Sequence, residues 1–162
     1  MINIRQTENK DIDFIFSCLE NKSEDFLYQC GYGRFHKYPM TKEQIKSVME
    51  SRKDNTRYFI ILNDSTPIGS VELDFIDWEK KECAVCRFLL NDEYRNKGFG
   101  TESLKNLTQL AFQKFEMCRV RLSAFDFNIE AIKCYEKAGY REFNRATRPN
   151  GWLAIKMECL KN

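Results

Sequence analysis

The feature that most constrains this chain is a change of period at residue 57. From there "RYFIILN", "IGSVELDFID" and "CAVCRFLLN" read as successive strands, separated by the turns "DSTP" and "WEKKE". Within "IGSVELDFID", Val71, Leu73 and Phe75 alternate with Ser70, Glu72 and Asp74, so one face is apolar and the other carries carboxylates. An antiparallel hairpin followed by a further strand is predicted. Directly after it, "NDEYRNKGFGTESL" leads through two glycines into a helix with Leu104, Leu107 and Ala111 on one face and Leu110 beside it.

The flanking segments complete the order. "INIRQ" alternates as a first strand, and "DIDFIFSCLEN" places Ile12, Ile15, Phe16 and Leu19 at helical spacing. "DFLYQCGYGRFHKYPM", interrupted by Gly31, Gly33 and Pro39, is expected to be irregular and mobile, and "TKEQIKSVMES" to be a helix capped by Thr41. "CRVRLSAF" reads as a strand, "NIEAIKCYEKA" as a short helix ended by Gly139, and "YREFNRATR" and "WLAIKMECL" as closing strands around "PNG". The expectation is an α+β (mixed α/β) fold, with about seven strands in a mostly antiparallel sheet and four flanking helices.

With 162 residues, 43% of them hydrophobic, the chain fits one domain over residues 1–162. Lys and Arg number 26 against 24 Asp and Glu, a net charge of +2 that does not suggest a dedicated nucleic-acid binder. The start "MINIRQTENKDIDF" lacks the apolar stretch of a secretory signal, and no apolar run approaches a membrane span, so a cytoplasmic protein with no membrane partner is expected. Seven cysteines without an export signal then read as free thiols. Cys83 and Cys86, three apart on a strand, point to opposite faces, and His36 is the only histidine, so no metal site is expected.

A helix N-terminus offers unpaired N–H groups and partial positive charge, and glycines let an anion approach it. Gly98 and Gly100, with Arg95 and Lys97 adding charge, suit a phosphate. A Walker A loop is absent, and a dinucleotide fingerprint would need a third glycine where Ser103 stands. An anion cradle and a simply packed turn both remain open on these residues.

"YRNKGFGTESL" resembles the R/Q-x-x-G-x-G/A motif of the GCN5-related N-acetyltransferases through Arg95, Gly98 and Gly100. Further on, "NIEAIKCYEKAGY" resembles that family's second block, N-x-x-A-x-x-x-Y-x-K-x-G-[F/Y], through Asn128, Ala131, Tyr135, Lys137, Gly139 and Tyr140. The look is that of the branch holding the ribosomal-protein N-terminal and spermidine acetyltransferases. The likeness runs over residues 57 to about 145, whereas the acceptor region before it matches only in element order.

The resemblance implies this family's fold and an acetyl-CoA-dependent N-acetyltransferase acting on a primary amine of a small molecule or peptide, with no metal. It implies that Arg95, Asn96, Lys97, Gly98, Phe99, Gly100 and Thr101 hold the CoA pyrophosphate. Phe88, Leu89 and Leu90 would bind the pantetheine arm through their backbone and help polarise the thioester carbonyl. Tyr135 would protonate the leaving thiolate, and Asn128, seven residues earlier on the same helical face, would look at the same ligand. Glu72 is the expected general base, with Asp74 the nearest substitute, unless the amine arrives neutral.

Plainer readings stand beside these: Asn128 as a helix N-cap, Tyr135 as a core aromatic, Glu72 as a solvent-facing strand residue. The alternatives are a non-catalytic acyl-CoA-binding module or, as the specific enzyme variant, a polyamine (spermidine-type) N-acetyltransferase. Nucleic-acid binding through Arg95, Lys97, Arg119 and Arg121 is disfavoured because aromatics do not interleave with those charges. A polyamine acceptor would call for carboxylates such as Glu20, Glu24, Asp25 and Glu43, yet Arg34, His36 and Lys37 share that region. The aromatics Phe26, Tyr28, Tyr32, Phe35, Tyr38 and Trp78 are expected mostly in the core. Dimers are common in the family, so a homodimer follows by analogy only.

Overall fold

The computed structural model describes residues 1–162. Seven strands, β1 (Ile2–Gln6), β2 (Arg57–Asn63), β3 (Thr66–Asp77), β4 (Glu82–Leu90), β5 (Arg119–Phe125), β6 (Arg141–Thr147) and β7 (Leu153–Leu160), form one sheet. Its order is β1-β2-β3-β4-β5-β7-β6, and every neighbouring pair is antiparallel except β4 with β5. The helices are α1 (Ile12–Ser17), α2 (Glu24–Gln29), α3 (Lys42–Ser51), α4 (Phe99–Gln113) and α5 (Ile129–Lys137). None is long and apolar enough to cross a membrane.

Five α-helices stand where four were expected, because α2 lies in the stretch read as irregular. Its start is defined locally: the Ser23 side chain accepts from the Phe26 N–H at 3.1 Å, and Glu24 and Asp25 place negative charge on the first turn. Leu27 then anchors it in the core shared by α1 and α3, among Ile12, Ile15, Leu19 and Ile45, over Ile60 and Leu89 of the sheet. On the other face, Leu104, Leu107 and Ala111 of α4 pack on Val71, Leu73 and Ile76.

Two departures from regular pairing shape the centre of the sheet. Between Ser70↔Leu89 and Glu72↔Cys86, β4 carries one residue more than β3, and Arg87 at that bulge has φ +47°. Between Asp74↔Ala84 and Asp77↔Glu82 the surplus is on β3, with Phe75 at φ +50°. The second bulge corrects the simple alternation. Phe75 leaves the face of Val71 and Leu73, and Ile76 takes its place in the core.

Beside the first bulge the sheet opens. β4 and β5 pair at Glu82–Arg119, Cys83–Val120 and Ala84–Arg121 and then diverge, leaving Phe88–Leu90 without a partner on that side. Helix α2 reaches across the opening. The Tyr28 ring stacks on Phe125 of β5 at 5.8 Å, and Trp152, ahead of β7, lies edge-on to Tyr28, Phe125 and Phe127 at 5.3, 5.0 and 5.1 Å.

Candidate active site

At the open end of β4 the chain turns through Asn96 at φ +58° and Gly98 at φ +84° into α4. The N–H groups of Asn96, Lys97, Gly98, Phe99, Gly100 and Thr101 meet no acceptor in the protein, and the first helical bond runs from Glu102 N–H to the Gly98 carbonyl. Consecutive unpaired donors curled at a helix N-terminus form an anion nest. The nest begins one residue later than the motif suggests, because the Arg95 N–H is used by the Asp92 carbonyl at 3.2 Å. Arg95 instead braces the rim: its Nε donates to the Leu90 carbonyl at 3.3 Å, and its guanidinium lies over Phe26 at 5.1 Å. Lys97 is exposed.

Gly100 defines a notch between three elements. A Cβ there would meet Cys134 Sγ of α5 at 3.4 Å, Leu90 Cδ1 at 3.8 Å and Phe88 Cζ at 3.9 Å. The absence of a side chain keeps the space beside the nest open, so the residues present fit a phosphate-bearing ligand that continues along Phe88, Leu89 and Leu90.

On α5, Asn128 serves as the N-cap, its side chain accepting from the Ala131 N–H at 3.3 Å. Tyr135, on the same helix, packs against the α4-side core. Burial, reinforced by Cys134, Cys30 and Cys86, pushes its phenol well above the usual range, so the proton stays on through neutral pH. Tyr140 is structural: its hydroxyl shares a 2.6 Å hydrogen bond with Thr108 in the core.

The carboxylate face of β3 is buried. Glu72 is 8% exposed and Asp74 0%, and between them lies Arg87, 5% exposed. Arg87 Nε donates to Glu72 Oε2 at 2.5 Å, Nη2 to Asp74 Oδ2, and Nη1 to the Gly31 carbonyl at 3.2 Å. Asp74 Oδ1 also accepts from Arg52 Nη2 at 2.5 Å, Thr56 Oγ1 at 2.7 Å and the Phe75 N–H at 2.6 Å. Burial alone would raise Asp74, but the bonds from Thr56 and Arg52 hold it below the ordinary carboxylate range. Glu72 goes the other way: burial lifts it to about 7 against the pull of Arg87.

A cavity of about 20 Å³, enough for one water molecule, adjoins Glu72 and is lined in part by Thr7, Tyr32, His36, Tyr58 and Ser70. Thr7 Oγ1, His36 Nδ1 and Tyr58 OH are buried there without protein partners. Burial and the nearby Arg87 lower His36 to about 4, so it is neutral at ordinary pH. No three His, Cys, Asp or Glu side chains group as a metal site would need.

A model of the acetyltransferase (GNAT) family matches residues 19–140. The chain belongs to that family. Among curated proteins, this GNAT chain is 30% identical to the aminoglycoside N(6')-acetyltransferase type 1 of Klebsiella pneumoniae, over 68% of its own length and 59% of that protein's. It is 37% identical to the spermine/spermidine N(1)-acetyltransferase of Bacillus subtilis, over 40% and 42% of the two chains. The GNAT chain thus spans less than two thirds of the length of these relatives.

Among solved structures, spermidine N-acetyltransferase from Vibrio cholerae in complex with CoA and spermine superposes with a TM-score of 0.83 at 17% identity, covering 98% of this chain and 95% of that one. An aminoglycoside acetyltransferase in complex with coenzyme A gives 0.79 at 21% identity, covering 99% and 95%. At those identities the likeness shows the GNAT fold.

The structure brings the nest, the notch, Phe88–Leu90 and Tyr135 to one opening of the sheet, with Glu72 on the adjoining strand. Two expectations about the acceptor side change. Glu72 and Asp74 are buried and ion-paired rather than facing solvent, and of the six aromatics only Tyr32 is fully buried, while Tyr38 and Trp78 are exposed. Arg87 and Arg52, which pair with these carboxylates, are neighbours that spacing did not single out. The available signal was an arginine inside the apolar run "CAVCRFLL", where an unpaired charge cannot be accommodated.

Proposed function

We propose that residues 1–162 form one N-acetyltransferase domain that moves the acetyl group of acetyl-CoA to a primary amine of a small molecule or peptide. The observation that carries this reading is the unpaired N–H run from Asn96 to Thr101 beside the notch at Gly100. The nest holds the pyrophosphate of the co-substrate, and the unpartnered edge of Phe88–Leu90 bonds its pantetheine amides. Asn128, capping its helix, keeps its amide NH₂ available to the same ligand.

The amine must lose a proton to attack, and the leaving thiolate must gain one. Tyr135 supplies the second proton, which burial keeps on its oxygen. Glu72 takes the first through a water in the adjoining cavity: Arg87 occupies Oε2, and a carboxyl near 7 can accept a proton and pass it on at neutral pH. With Cys18, Cys30, Cys83, Cys86, Cys118, Cys134 and Cys159 all unpaired, a reducing compartment, the cytoplasm, suits the chain.

The test is to mix protein and acetyl-CoA with polyamines, aminoglycosides, amino acids and short peptides and follow released CoA thiol, against a blank for exposed Cys118. Acceptor-dependent release supports the transferase. Tight CoA binding with no release across the panel would instead establish the non-catalytic binding module.

A further inference from the structure

Three guanidinium groups converge on two aromatic rings next to the buried carboxylates. Arg52 lies 3.7 Å over Phe35 and 5.1 Å from Phe75; Arg34 lies 4.7 Å over Phe75 and 5.6 Å from Phe35; Arg87 lies 5.6 Å from Phe35. Phe75 belongs to this group only because the bulge at φ +50° turns it away from the core. Stacking on a ring fixes a guanidinium plane and leaves its edge donors available.

The charges do not balance. Glu72 and Asp74 are the carboxylates that pair with these arginines, and both are engaged: Glu72 by Arg87, Asp74 by Arg87 and Arg52. Arg34, on the exposed side of the cluster, forms no ion pair, and Arg52 Nε is buried without a partner. With both carboxylates ionised, one positive charge is left over, carried by Arg34.

The cluster adjoins the reaction centre. Arg87 stands directly before Phe88 on β4, and the Phe88 ring lies 3.9 Å from the Cβ position of Gly100, so the cluster and the notch share one strand. The Gly31 carbonyl bound by Arg87 belongs to the same loop that carries Arg34. An acceptor whose amine reaches the notch therefore extends along β4 toward Arg87, Phe35 and Arg34.

We infer that the acceptor is an amine bearing a carboxylate, of the amino-acid class, with Arg34 receiving that carboxylate. This rests on the N-acetyltransferase reading above. A guanidinium fork matches a carboxylate in geometry as well as charge, and a single excess positive charge suits a monoanion. Polycations of the kind named among the relatives meet like charge at Arg34, a repulsive element that sets specificity.

The experiment compares amino acids with their carboxamides, alongside spermidine and kanamycin, in CoA release by the wild type, Arg34→Gln and Arg34→Lys. Expressing each result as the acid-to-amide ratio between proteins cancels the different basicities of the amines. The expected wild-type ratio exceeds that of Arg34→Gln by roughly tenfold, the effect of one charge-assisted contact, mainly through KM, with CoA affinity unchanged and partial recovery in Arg34→Lys. Preference for spermidine or kanamycin, or an acid-to-amide ratio that Arg34→Gln leaves alone, overturns the inference while the transferase stands. If no amine is acetylated, the transferase falls, and calorimetry on the CoA-loaded protein decides the anion site: amino-acid binding lost in Arg34→Gln supports it, and equal binding or none overturns it.

Discussion

Arg87 on β4 and Glu72 on β3 are joined by a 2.5 Å hydrogen bond from Nε to Oε2, made from a bulge residue at φ +47°, and the same guanidinium also binds Asp74. The arrangement places one cation between two carboxylates that water barely reaches. Replacing Arg87 by Met removes the cation and leaves both anions buried. The expected loss is about 3–5 kcal/mol, the range for breaking a buried ion pair from one side. Urea unfolding at neutral pH measures it. A change of only a few tenths of a kcal/mol, roughly what an exposed ion pair contributes, would show that the network is solvated in solution.

Glu72 makes a prediction about pH. Its carboxyl, lifted to about 7 by burial, is protonated and unable to act as a base below that point, and ionised above it. The value of kcat/KM should therefore rise with pH up to about 7 and then level. An acceptor with a weakly basic amine keeps the acceptor's own ionisation out of the curve. Glu72→Gln should remove the limb and lower the plateau by roughly a hundredfold, as loss of a general base does. A limb that persists in the variant assigns the titration elsewhere. The two nearest alternatives are already out of range, since His36 is lowered to about 4 and Asp74 is held below ordinary carboxylates.

Tyr135→Phe separates chemistry from binding. The ring packs against the α4-side core, so its shape is retained, while the proton donor is lost. Turnover should fall by roughly a hundredfold or more with the CoA Kd nearly unchanged. Equal rates in the two proteins would return Tyr135 to the role of a core aromatic.

The two motif glycines should respond differently. At Gly100 a branched side chain has to displace Cys134 Sγ, already 3.4 Å from the Cβ position, and fills the notch beside the nest. Gly100→Val should raise the CoA Kd by roughly tenfold or more. Around Gly98 nothing lies within 4 Å of an added Cβ, but φ is +84°. Gly98→Ala should thus cost about 1 kcal/mol of stability and spare the notch. Calorimetric titration with CoA and thermal unfolding read the two effects apart.

What the sequence disclosed follows the range of the interactions. Strands β2 to β4, helix α4 and the nest were legible because alternation, glycine turns and helix starts are written within a few residues. Helix α2 was hidden: Ser23, Glu24 and Asp25 mark its start, but Gly31, Gly33 and the aromatics dominate the stretch, and six residues hold their helix mainly through Leu27 and the contact of Tyr28 with β5. The arginine–carboxylate cluster was hidden more deeply. Phe75 belongs to the apolar face by alternation and leaves it because of a bulge that exists only once β3 is paired with β4. Arg87 meets Gly31 from a position 56 residues away, a distance no local pattern encodes.

The ring contacts that carry α2 across the divergence of β4 and β5 make the protein its own optical gauge. Trp152 touches Tyr28 from one half of the sheet's opening and Phe125 from the other, so any ligand that spreads the opening must slide those rings past one another. The other tryptophan, Trp78, stands 46% exposed beside Phe115, outside the ring cluster of Tyr28 and Phe125. Trp78 is the more readily quenched of the two, so a change in the remaining Trp152 emission on adding CoA is the expected, label-free sign that the rings have moved.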